Sequence, residues 1–336
     1  MSGVDLRGRA LAPMLLALAP HVAWGWGAAG HEAIGAVADR LLAGTRAGGE
    51  VRTILGPDET LAEASVWADC AKGVVHEGAR FRYAPKDRFP ECAPFETRKG
   101  KAAMVRFVAR NAAHCAPSQG DDACGHRTYH YTDVAIQHDH YDRRFVGTSD
   151  HDVVAAVHAA IAVLQGGAAP APFAIDSKRD ALRLLAHWVG DLHQPLHVEA
   201  VYLDARGRPI DPDRGRFDPA TATRGGNSIQ DGDWNLHAEW DAVRPEVAAE
   251  VRAGLAAARA VPRATGQPSE WPEAWATDTI AAGRAAFAPL SFGRREGDHW
   301  TVSPPADYPR TREDLQRRQL TKAGARLAQL LRAIWP

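Results

Sequence analysis

Apolar side chains recur along this chain at intervals of three and four, a spacing that lines them up on one face of a helix. Between Gly30 and Leu42 the stripe runs through Ile34, Val37, Ala38, Leu41 and Leu42. Similar stripes cover Lys101 to Ala113, Asp150 to Leu164, Asp176 to Asp191, Leu236 to Ala258 and Thr311 to Trp335. Asp150 and Asp176 are placed to cap their helices, and Gly166-Gly167 to stop the earlier one. Pro- and Gly-rich loops are expected at 83–100, 116–127, 203–233 and 288–310. A short hairpin is expected from Tyr202 to Ile210, turning at Arg206-Gly207. Strict alternation is nowhere sustained, which argues against a large sheet. With no internal repeat or low-complexity linker, the pattern predicts a single mainly α-helical domain with at most a short β-hairpin.

The first residues follow another pattern. Arg7 and Arg9 precede an apolar stretch, Ala10 to Ala19, and Ala23-Trp24-Gly25 puts small residues at −3 and −1 of a cut after Gly25. That predicts a signal peptide over 1–25 and a mature domain over 26–336, exported to a periplasm or to the medium. The apolar run is too short to span a bilayer, so no membrane association is expected after cleavage. Export makes disulfides plausible for Cys70, Cys92, Cys115 and Cys124. Of the three possible pairings, Cys115–Cys124 would close a short polar loop and leave Cys70–Cys92.

Composition narrows the chemistry only slightly. A formal net charge of −1 leaves no polybasic surface to attract a polyanion, although bound dications could attract one locally. The 15 histidines are more informative, because several fall at helical spacing from carboxylates.

His187 and Asp191 stand four apart, as do His237 and Asp241, so each pair projects an imidazole and a carboxylate from one helix face. One such pair is commonly a solvated ion pair. Two pairs, with His197 beyond the helix-breaking Pro195, form a nitrogen and oxygen donor set that suits zinc. His193, two residues from Asp191, points off that face and is expected to be structural; Glu239 points away from its pair as well. Further donors stand upstream at Asp69, at His130 between Tyr129 and Tyr131, and at His31. If cleavage exposes Trp26, its α-amine becomes another nitrogen donor.

In their order along the chain, Trp26-Gly-x-x-Gly-His31, Trp67-Ala-Asp69, His130-Tyr-x-Asp133, His187-x3-Asp191-x-His-Gln-Pro-Leu-His197, Gly-Gly-Asn227 and Asn235-Leu-His237-x3-Asp241 resemble the S1/P1 nuclease family over nearly the whole mature chain. The resemblance implies a helical domain with three zinc ions. One would be held by Asp69, His130, His187 and Asp191. A second would take Trp26, His31 and the bridging Asp191, and a third, more open one His197, His237 and Asp241. It also implies a monomer that hydrolyses single-stranded DNA and RNA to 5′-phosphorylated products, with 3′-nucleotidase activity as an accompaniment. Asp69 and Lys72 would serve catalysis, Lys72 by stabilising the charge of the transition state. Tyr131 and Asp133 would hold a nucleobase, the bland alternative being a core aromatic and a loop cap. Asn227 would reach the substrate or hydrogen-bond a ligand. Trp188, Trp234 and Trp240 are expected to be packing residues. The segment from Cys70 to His130 departs in length and cysteine pattern, so the shape of the cleft does not carry over. Two other readings share the zinc donors: a zinc-dependent phospholipase C, disfavoured by Lys72 and Gly-Gly-Asn227, and an exported zinc-binding protein without catalysis.

Overall fold

A computed structural model of the chain describes residues 26–112 and 125–336, apart from 79, 87 and 88. The predicted signal peptide and the predicted Cys115–Cys124 bridge lie outside the described residues. The bridge between Cys70 and Cys92 is formed.

Helix Lys178–Asp191 runs through the centre, every side chain from Ala181 to Asp191 buried. Its neighbours are the helices Ala28–Leu42, Arg46–Leu55, Leu61–Ala64, Trp67–Ala71, Val153–Leu164 and Tyr308–Ile334. Full burial of Leu182, Leu184, Leu185, Trp188 and Val189 contributes roughly 2 kcal/mol each. That apolar burial offsets the cost of placing His187 and Asp191 in the same interior. Val153–Leu164 is apolar nearly all round and correspondingly almost fully buried, as expected of a core helix.

The helix boundaries correct several expectations. The caps are Asp152 and Ser177, not Asp150 and Asp176: Asp152 accepts from Ala155 N at 3.0 Å and Ser177 from Asp180 N at 3.0 Å. The stretch from Leu236 to Ala258 is three helices, Leu236–Asp241, Pro245–Ala253 and Leu255–Arg259. The ring of Pro245 opens the second, since a proline without an amide hydrogen belongs at a first turn. Helix Trp271–Phe287 carried no predicted stripe, and the expected loop 288–310 contains a hairpin, Ser291–Glu296 with His299–Ser303. That hairpin joins Ile229–Asp231 and Trp234–Asn235 in a four-stranded sheet, the largest among the described residues. The predicted hairpin forms as Tyr202–Leu203 against Pro209–Ile210.

Among the described residues no helix is long and apolar enough to cross a membrane.

Candidate metal centre

The helix-breaking effect of Pro195 sets up the centre. The central helix ends at Asp191, and Pro195 opens a new short helix, Pro195–Val198, that redirects His197. Gln194 caps that turn through Leu196 N at 2.5 Å and donates its amide to Asp241 Oδ1 at 2.8 Å. This glutamine, unremarked in the sequence, links the two His-x3-Asp pairs. Asn235 caps Leu236–Asp241 by accepting from Ala238 N, which presents His237 and Asp241 to His197.

Three donor groups converge. His31, His187 and Asp191 form one; Asp69, His130 and His187 a second; His197, His237 and Asp241 a third, with the atoms of each within 4.8 Å of one another. The first two groups meet at His187, whose ring stacks on His31 at 3.9 Å between centroids. Asp191 is shared more widely: Oδ2 lies 3.0 Å from His187 Nε2 and 2.9 Å from His130 Nδ1, while Oδ1 lies 3.4 Å from both His31 Nε2 and His197 Nδ1.

Three of the histidines are oriented by main-chain carbonyls. Nδ1 of His187 faces Ser65 O at 2.6 Å, that of His197 faces His130 O at 2.8 Å, and that of His237 faces Gly225 O at 2.8 Å. A carbonyl only accepts, so each Nδ1 carries the proton and each Nε2 is left for another partner. Nε2 of His197 and Nε2 of His237 then meet at 3.1 Å. Two bare lone pairs at that distance repel unless a cation or a proton lies between them. The carbonyl at Gly225 is aimed by three successive left-handed residues, Arg224, Gly225 and Gly226, at φ 55°, 58° and 91°. A side chain at Gly225 would also strike Leu196 O.

The electrostatics agree. Burial works against charge on Asp191, but His187 and His197 outweigh it and hold the carboxyl well below its ordinary range. Burial likewise opposes a charge on His197, yet the Asp191 and Asp241 carboxylates push it up to about 9. Burial, then Lys72, lowers His130 to about 3. Protonated imidazoles thus supply some of the positive charge this carboxylate-rich interior needs. Both ring nitrogens of His31, Oδ1 of Asp191 and Oδ2 of Asp241 are buried without hydrogen-bond partners. Such orphans are costly in an apolar interior, and a metal ion would satisfy them together. The donor set therefore fits zinc.

Trp26 is fully buried, its indole donating to Gly190 O at 3.0 Å, next to Asp191, while Gly27 N donates to Asp241 O at 2.8 Å. The first described residue is thus moored beside the cluster. Lys72 Nζ lies 2.7 Å from Asp69 Oδ1, at a cleft of about 1010 Å³ that also reaches Asp241. The hairpin Val74–Glu77 with Arg80–Tyr83 walls that cleft. Trp234 lines it too and, at 37 % exposure, departs from the packing role expected for it, because it stands at the turn of a two-strand ribbon rather than over a core. Trp188 and Trp240 are fully buried, as expected.

Tyr131, Asp133 and Asn227 stand apart from that cleft, on the His197–His237 side. Tyr131 is half-buried just after the 3₁₀ turn that carries His130. The Asp133 carboxylate accepts from Gly225 N, near Arg224 and His197. Asn227 is exposed and donates its amide to Arg224 O at 2.9 Å, closing its own turn. His193 faces elsewhere: Nδ1 donates to Val189 O at 2.7 Å and Nε2 accepts from Arg326 at 2.9 Å. Glu239 pairs with Arg312, outside the cluster.

A family model described as S1/P1 Nuclease matches residues 26–336. The chain belongs to the S1/P1 nuclease family. Among curated proteins none matches it. Membership makes the chain a phosphodiester hydrolase and a nuclease, in a family that depends on zinc and takes nucleic acid as substrate. In that family's terms, the sequence-legible donors Asp69, His130, His187, Asp191, His31, His197, His237 and Asp241 come together in one continuous, largely buried patch.

Proposed function

We propose that this nuclease holds three zinc ions and cleaves single-stranded DNA and RNA to 5′-phosphorylated products, with activity on 3′-mononucleotides as well. The observation that carries this reading is Asp191, one fully buried carboxylate whose two oxygens face four different imidazoles. A lone ion would leave most of those imidazoles unused, whereas more than one ion would engage them. His187, His130, Asp69 and Asp191 would hold one ion, His31, Asp191 and the Trp26 amine and carbonyl a second, and His197, His237 and Asp241 the third.

Bound zinc supplies Lewis acidity that makes water a competent nucleophile near neutral pH and offsets charge on phosphoryl oxygens. The remaining work falls to the chain. The carbonyls of Ser65, His130 and Gly225 fix the tautomers of three ligands before substrate arrives. Lys72 lines the cleft and provides a fixed positive charge for the developing phosphorane-like oxygens. Water adds to phosphorus in line, the bond to the 3′ oxygen breaks, that oxygen takes up a proton, and the phosphate remains on the 5′ side. Tyr131 offers a ring face for a base lifted from its stack, and Asp133 an acceptor for a base edge. A duplex base cannot reach such a pocket, which favours single strands. Residues 1–25 act as an export signal in this reading, and the mature protein works as a periplasmic or secreted monomer.

The test is an assay of protein beginning at Trp26 on single-stranded DNA, RNA, a 3′-mononucleotide and phosphatidylcholine, with and without chelator, followed by end-group analysis. Chelator-sensitive cleavage leaving 5′ phosphates is expected. Hydrolysis of the lipid in preference to either nucleic acid would refute the substrate assignment, and activity indifferent to chelator would refute the metal.

A further inference from the structure

A second set of metal-ligating side chains lies outside the cleft. His138 follows the strand Val134–Ala135, and Asp211 and Asp213 follow the hairpin strand Pro209–Ile210. Nε2 of His138 is 2.7 Å from Asp213 Oδ2 and 3.9 Å from Asp211 Oδ1. The side chains of His138, Asp211 and Asp213 are 16 %, 14 % and 22 % exposed, partly open to solvent. We propose that His138, Asp211 and Asp213 form a zinc site of their own, one that clasps the 136–148 loop to the 211–217 loop.

Three features support this over an ordinary ion pair. One imidazole nitrogen carries one proton, yet two carboxylates converge on His138 Nε2; Asp211 also pairs through Oδ2 with Arg214 Nε at 3.1 Å, while the second lone pair of its Oδ1 remains for a cation. Asp213 and the His138 ring are also held from behind, and Asp211 is fixed through its convergent Oδ1 itself. Val146 N donates to Asp213 Oδ1 at 2.9 Å, Asp213 N donates to Asp211 Oδ1 at 3.0 Å, and Phe145 stacks on the His138 ring at 3.7 Å. Such backing is what fixes ligand orientation in metal sites. Finally, tetrahedral zinc with bonds near 2.0–2.2 Å separates its donors by about 3.3 Å, between the two distances here. An imidazole donor favours zinc over calcium or magnesium, which take oxygen ligands. Three protein ligands leave a fourth position for water.

The position gives the site a purpose. Gly147 O, in the clasped loop, accepts from Asp133 N at 3.0 Å and from Thr132 Oγ1 at 3.1 Å. Zinc at His138 would therefore brace the backbone behind Asp133 without touching the catalytic donors.

Zinc content decides the matter independently of nuclease activity. The unaltered chain and the variants Asp213→Asn and His138→Gln are equilibrated with buffered free zinc, freed of excess and analysed for metal per chain. Each variant, with an unchanged circular dichroism spectrum, is expected to hold about one zinc fewer than the unaltered chain. Equal zinc in all three at every free-zinc level would overturn the proposal. For a decision free of any variant, crystals of the whole chain grown with zinc should show an anomalous peak at the zinc edge between His138, Asp211 and Asp213. A map with peaks only at the buried cluster would equally overturn it.

Discussion

Lys72 Nζ and Asp69 Oδ1 stand 2.7 Å apart, three residues from each other, in the lining of the cleft. The ammonium is a neighbour of the metal donors without being one. Lys72→Ala should therefore keep the zinc and lose turnover. We expect kcat to fall by roughly 10²–10³ on single-stranded DNA, the scale for one charge-stabilising donor. Metal analysis with steady-state kinetics checks this; zinc lost in proportion to activity would show that Lys72 holds the site together instead.

The mooring of Trp26 makes a second case. Protein beginning at Trp26 is expected to outperform protein with one extra residue left in front, because an amide nitrogen is no longer a basic ligand. Loss of a ligand should cost more than the roughly 10–100-fold in affinity typical of losing a group that merely orients one. Zinc titration of the two forms gives the answer, and identical affinities would exclude the amine.

Gly190 tests how closely two helices must approach. A methyl group here would lie 2.8 Å from His31 Nδ1 and 3.1 Å from Ile34 Cδ1, two side chains that are both fully buried. Alanine gains about 1 kcal/mol of helix preference over glycine. Overpacking of a dense core costs about 1–3 kcal/mol, and the buried ring has nowhere to move. Gly190→Ala should therefore lower both the melting temperature and zinc retention; a higher melting temperature would contradict the close packing described.

Asp133 gives a pH prediction. Burial raises its carboxyl to about 6, against the lowering effects of Arg224 and His197. A carboxyl raised in the folded state favours folding below its unfolded value, and that contribution is lost as pH rises through about 6. Chelated Asp133→Asn protein should thus melt progressively higher, relative to the unaltered protein, between pH 5 and pH 7. KM for single-stranded substrate should lose its pH dependence across the same interval. Parallel melting curves at all pH values would rule out the shift.

Five donors are legible because each lies at a helical interval or just past a proline, whereas Asp69, His130 and His31 are tied to the metals only by the family's motif order. His187, Asp191, His237 and Asp241 needed nothing more. Ser177 took the cap expected of Asp176 because adjacent residues of similar capping ability differ only in where the chain enters the helix. The Ser291–Ser303 hairpin went unseen because its alternation is short and half exposed, with only Trp300 and Val302 fully turned inward on the second strand. Trp234 departs from expectation because a tryptophan beside a ligand looks the same in sequence whether it faces a core or a cleft. Gln194 was visible but uninformative until Asp241 was placed beside it.

The carbonyls that orient His187, His197 and His237 have a consequence for how this site tolerates change. They belong to Ser65, His130 and Gly225, yet none of the three contacts uses a side chain. A serine-to-alanine exchange at position 65 leaves its contact intact, so mutational drift cannot erode that support one residue at a time. Only a shift of the main chain can remove it, and the surrounding core resists that shift. Selection acting on the fold thereby protects ligand geometry as well.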